Sequence, residues 1–110
     1  MEFTKTKQYT LIKPTENTVY EFVEDFKKNL SNFKNEHLII DFSEKINTNI
    51  KELMLFLELS LTQKKDGTSF VLISHGINID EISDEINIVP TFNEALDILE
   101  MDAIERDLGF

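Results

Sequence analysis

The chain has 110 residues, 41% of them hydrophobic, with nine phenylalanines, enough for one ordinary core and too few for two domains. It has no cysteine, which excludes disulfides, zinc–thiolate sites and thiol catalysis and agrees with a reducing, cytoplasmic setting. Its formal net charge of −10 is unevenly placed: ten bases and ten acids through Lys65, then eleven acids against Arg106 alone. Such an acidic half repels phosphate backbones, so direct nucleic-acid binding is disfavoured. A solvated acidic surface is the plainer reading and a docking face for a basic protein the sharper one. The start, MEFTKTKQ, lacks the apolar run of a signal peptide, and no later stretch has the length of a membrane span.

Glu2 to Lys7 and Tyr9 to Lys13 alternate as two short strands around a Lys7-Gln8 turn that lacks the usual Gly or Asn, and Pro14 ends the second. Val19, Phe22, Val23, Phe26, Leu30 and Phe33 make one apolar helical stripe, entered through a capping box of Thr18 and Glu21. The run from His37 to Phe42 suits a strand covered on both faces. Ile50 to Lys65 follows as a helix with apolar residues on more than one side, which implies either deep burial or a face kept for a partner. Asp66-Gly67 stops it, and Ser69 to Ser74 is another buried strand.

Ile79 to Glu85 reads as a short helix and Ile86 to Val89 as a last strand. Thr91 and Glu94 form a capping box before the stripe Phe92, Ala95, Leu96, Leu99 and Ala103, with Gly109 as stop. The end of this helix, Met101 to Phe110, either docks on a neighbour or packs on its own domain. Strands separated by helices require crossovers and lie parallel. The expectation is α/β: one domain over residues 1–110, a mixed, mostly parallel sheet with an N-terminal hairpin, and about four helices.

Leu38 to Leu57, with Ile39-Ile40-Asp41-Phe42-Ser43 at its start, resembles the centre of a bacterial STAS domain, the family that includes the anti-sigma-factor antagonists. Pro90-Thr91-Phe92-Asn93-Glu94-Ala95-Leu96 is similar to the entry of that family's final helix, and the order of elements matches over nearly the whole chain. The resemblance implies a non-catalytic regulatory module that binds a protein partner, an anti-sigma-like or other regulatory protein, with no cofactor and no metal. In regulated members a Ser or Thr in an Asp-Ser-Ser or Asp-Ser-Thr triplet is phosphorylated where the loop enters its helix. Here the triplet is Asn49-Ile50-Lys51, so Ile50 and Lys51 occupy the phosphosite position and accept no phosphate. Thr48 is adjacent; Thr48 or Asn49 is read as the helix N-cap, and a switch at Thr48 is the less economical reading. The candidate contact surface is Ser43, Lys45, Asn47, Thr48, Asn49 and Lys51.

Short acidic chains resembling this one sometimes carry the label ribonuclease Z. That nuclease, of metallo-β-lactamase fold, needs a cluster of His and Asp ligands for two metals, and this chain has two histidines, His37 and His75. An accessory role beside such an enzyme is therefore the alternative, without nuclease activity of its own. A third reading is a small-molecule sensor using a crevice at His75 and Gly76, since open α/β sheets bind ligands at strand carboxyl ends. There is no P-loop or dinucleotide fingerprint, and Asp80-Glu81 and Asp84-Glu85 lack calcium-loop spacing.

Overall fold

A computed structural model describes residues 1–43, 48–75, 77 and 85–109. Five strands form one sheet in sequence order: β1 (Glu2–Lys5), β2 (Thr10–Lys13), β3 (Leu38–Asp41), β4 (Phe70–Ile73) and β5 (Asn87–Val89). β1 and β2 are antiparallel, with Glu2 opposite Lys13 and Lys5 opposite Thr10. Every later neighbour is parallel, as crossovers require. The α-helices are α1 (Val19–Lys28), α2 (Ile50–Leu53), α3 (Leu57–Lys65) and α4 (Phe92–Asp107).

The Lys7-Gln8 turn forms without Gly or Asn because Thr6 supplies its chemistry. The Thr6 hydroxyl accepts from the Gln8 and Tyr9 amides at 3.1 and 3.0 Å, and the Thr6 amide donates to the Tyr9 carbonyl. Both strands are shorter than their alternation implied.

The two-residue period of the strands sorts the core into two layers. Ile12, Leu38, Ile40, Phe70, Leu72 and Ile88 face one side, where they meet Val19, Phe22, Val23 and Phe26 of α1, with Leu53 and Phe56. Ile39, Val71 and Ile73 face the other, covered by Ala95, Phe92, Leu96 and Leu99 of α4. The sheet is thus sandwiched, with α1, α2 and α3 on one face and α4 on the other. Phe56 is fully buried and lies 5.7–6.4 Å, ring centroid to centroid, from Phe22, Phe26, Phe42 and Phe70. Each such ring contributes roughly 2–3 kcal/mol of transfer free energy.

Two expected helices are broken. The first stripe is not one helix through Phe33. α1 stops at Asn29, whose side-chain amide donates to the Asp25 carbonyl at 2.8 Å, and a 3-10 turn over Leu30–Phe33 follows. The tighter turn still buries Phe33 but leaves Leu30 on the surface. The stretch from Ile50 to Lys65 is split by a 3-10 turn at Met54–Phe56. Leu53 and Phe56 are fully buried on either side of the break, whereas Leu55 and Leu61 are exposed. The dense apolar composition therefore serves both burial and surface.

Helix ends follow local chemistry. α3 ends in a Schellman motif: the Thr68 amide donates to the Gln63 carbonyl and Gly67, at φ 81°, to Lys64. Gly109, at φ 82°, follows α4, and its amide donates to the Arg106 carbonyl. The expected boxes at Thr18 and Thr91 are half made. Each hydroxyl accepts from the amide three residues on, but Glu21 turns to the Asn17 amide and Glu94 accepts from the Thr91 hydroxyl. The short helix expected at Ile79–Glu85 lies outside the described residues except Glu85, which sits in a turn. No helix among the described residues is long and apolar enough to cross a membrane.

Candidate functional site

Two ends of the parallel sheet carry polar clusters. At the carboxyl end, β3 finishes at Asp41, paired with Ile73 of β4, and the next amide, Phe42, still donates to the Ile73 carbonyl at 2.9 Å. The chain then turns. Asp41 Oδ1 accepts from the Ser43 amide at 2.8 Å and from the Ser43 hydroxyl at 2.5 Å. This is the local ring that Asp forms two residues ahead of itself, and it fixes the direction in which the loop leaves the sheet.

The loop returns at Thr48. Thr48 Oγ1 lies 2.6 Å from Ser74 Oγ, just past the end of β4, with Ser74 buried. Asn49, not Thr48, is the N-cap. Its side-chain oxygen accepts from the Glu52 amide at 2.9 Å, and Glu52 Oε1 accepts from the Asn49 amide at 3.2 Å, a complete capping box. Thr48 is free for the cross-strand contact because its neighbour caps the helix. Ile50 is half-buried, Lys51 is exposed, and Leu53 anchors the helix in the core.

The structure thus brings Ser43, Thr48, Asn49 and Lys51 to one end of the sheet. Lys45 and Asn47 lie outside the described residues, as does Gly76. His75 follows Ser74 at this same end and is exposed.

His37 is at the opposite end, ahead of β3. A four-residue strand separates the two levels by roughly 13 Å, so the two histidines share no site. His37 Nδ1 accepts from the Ser69 amide at 2.9 Å. Ser69 is buried and its hydroxyl donates to Asp102 Oδ2 at 2.7 Å, while Arg106 Nη1 reaches the same hydroxyl at 3.5 Å. Burial first, and the Arg106 charge second, hold the His37 imidazole below its ordinary pKa, with Asp102 opposing.

Ser, His and Asp side chains meet here, yet the wiring is structural. The serine hydroxyl bonds the carboxylate and the imidazole Nδ1 is taken by a backbone amide, so the arrangement is not the serine–imidazole–carboxylate relay of a nucleophilic triad. Asp102 and Arg106 tie α4 to the sheet. The charge count named Arg106 as the one base of its half but gave neither residue a role; an i, i+4 charged pair continuing the Phe92–Leu99 stripe was the available signal.

Two clefts flank this amino end. One of about 310 Å³ lies between α3, the starts of β4 and β5, and α4, and one of about 500 Å³ between the hairpin turn, His37 and α4. Open α/β sheets bind ligands at the other end. Every buried side-chain polar atom among the described residues has a hydrogen-bond partner, so neither cleft is backed by an unsatisfied buried group.

No family model matches this chain and no curated protein matches it. Among solved structures it is similar to a chain from the molecular architecture of the stressosome, a signal integration and transduction hub. The TM-score is 0.55 at 19% identity, over 93% of this chain and 98% of that one. The five-stranded mixed sheet, its N-terminal hairpin and its flanking helices are a STAS-like fold.

Proposed function

We propose that residues 1–110 form one STAS-like domain that works as a regulatory, non-catalytic protein-interaction module. Its contact surface is the loop Ser43–Asn49 with the exposed side of the helix that begins at Ile50. Ser43, Lys45, Asn47, Thr48, Asn49 and Lys51 supply the contacts. The observation that carries this reading is the STAS-like fold, shared along nearly the full chain with a component of a signalling assembly.

The local chemistry fits such a role. The Asp41 ring, the Thr48–Ser74 bond and the Asn49–Glu52 box hold both ends of the loop against the sheet. Flanking residues already held in place lose little entropy on docking. Lys51 is exposed on this surface and offers a contact for an acidic patch on the partner. Asn49-Ile50-Lys51 carries no hydroxyl, and the neighbouring Thr48 hydroxyl is engaged with Ser74. Binding here is therefore not gated by phosphate at the triplet.

The readings as an accessory to an RNA-processing nuclease and as a small-molecule sensor gain no support from particular residues. The histidines are a strand length apart, and His75 stands exposed. Affinity capture from native lysate tests the proposal. Wild-type protein is expected to retain a specific protein that Lys51→Glu loses, with an unchanged melting temperature. A folded bait that retains nothing, or equal retention by Lys51→Glu, overturns it.

A further inference from the structure

The sheet-facing stripe of α4, Ala95, Leu96 and Leu99, ends in Asp102 and Arg106, which are anchored at Ser69. Met101, Ile104 and Leu108 project from the opposite side, at i, i+3 and i+7, and are 56, 53 and 66% exposed. The other exposed large apolar residues, such as Phe3, Tyr20 and Leu55, sit singly on separate elements and are ordinary surface. Three on one helical face form a stripe, which is the pattern by which a helix enters a hydrophobic groove.

Its borders are acidic. Glu100 and Asp107 run along one side and Glu105 along the other, with Asp97 at the head; all four are exposed, and among the described residues none makes an ion pair. A second copy laid stripe against stripe would oppose these carboxylates with their own kind. Nucleic acid and anionic lipid are repelled for the same reason.

We propose that the outer face of α4 is a second docking surface, on the side of the sheet away from α2, that seats in an apolar groove of a partner protein rimmed by Lys or Arg. Because Asp102 and Arg106 hold the helix, the stripe is presented rigidly and needs no folding on contact.

The test uses the full chain with methyl-labelled Met, Ile and Leu. The probe is a synthetic amphipathic helical peptide with a leucine face flanked by lysines, and its control has the same leucines flanked by glutamates. The lysine-flanked peptide is expected to shift the Met101, Ile104 and Leu108 methyls, and the control to leave them unmoved. Ile104→Asp separates apolar docking from charge attraction, since it adds a negative charge while removing an anchor. Docking predicts at least tenfold weaker binding with the melting temperature unchanged; attraction alone predicts equal or tighter binding. Met101→Ser with Leu108→Ser is expected to lose binding likewise, whereas Lys51→Glu, on the other surface, leaves it intact. Shifts confined elsewhere, unweakened binding by Ile104→Asp, or concentration-dependent dimers abolished by that variant would each overturn the proposal.

Discussion

The Thr48–Ser74 contact decides whether the candidate loop is part of the sheet or merely beside it, and a double-mutant cycle measures it. Thr48→Val keeps the side-chain shape and removes the hydroxyl 2.6 Å from Ser74 Oγ. Ser74 is only 6% exposed, so its hydroxyl is left without water or partner, at a cost of about 1–3 kcal/mol. Ser74→Ala leaves the half-buried Thr48 hydroxyl within reach of solvent and costs less, about 0.5–1 kcal/mol. In the Thr48→Val background Ser74→Ala removes the stranded hydroxyl and its penalty, so the double variant falls below the larger single loss. The coupling is then on the order of 1 kcal/mol. With a urea slope of about 1–1.5 kcal/mol/M for a chain of this size, Thr48→Val moves the unfolding midpoint down by roughly 1–2 M. Far-UV circular dichroism suits the measurement, because the chain has no tryptophan. Additivity of the two singles within about 0.3 kcal/mol would refute the claim that this bond ties the loop to β4.

Asn49→Ala should cost about 1 kcal/mol through loss of the cap, with Asn49→Gly recovering most of it; equal losses would show that Asn49 does not cap. Phe56→Ala, at the centre of five phenylalanines, should cost about 3–5 kcal/mol in urea unfolding, a large part of a typical domain's 5–15 kcal/mol. Stability should also depend on pH through His37. Its folded-state pKa lies below its unfolded value of 6.5, so the unfolded chain takes up the proton first. The His37 contribution is complete above about pH 6.5 and declines as pH falls from there toward the folded value. His37→Gln, which keeps an acceptor for the Ser69 amide and does not titrate, should flatten that part of the profile, and an unchanged slope would reject the assignment.

The architecture was legible because β3, β4 and β5 are short, largely apolar runs and stops such as Pro14 and Asp66-Gly67 punctuate the chain. The Thr18 and Thr91 caps were visible for the same local reason. Where residues were misjudged, a neighbour competed with the pattern. Asn29 bonds the backbone and ends α1 although the apolar stripe continues, and the turn at Met54–Phe56 re-aims Phe56 into the aromatic core. The polar contacts at the two ends of the sheet were hidden for another reason. Thr48 and Ser74 are 26 residues apart and Ser69 and Asp102 are 33 apart, so only the strand register brings them together. The resemblance located the carboxyl-end loop by the order of elements; it held no information about the anchor at the amino end.

Amide hydrogen exchange on the captured complex tests the central claim most directly. If the carboxyl-end surface is the contact, residues 43–53 gain protection on binding and regain free-protein exchange when Lys51→Glu abolishes the complex. Unchanged exchange over residues 43–53 in a saturated complex would contradict the account.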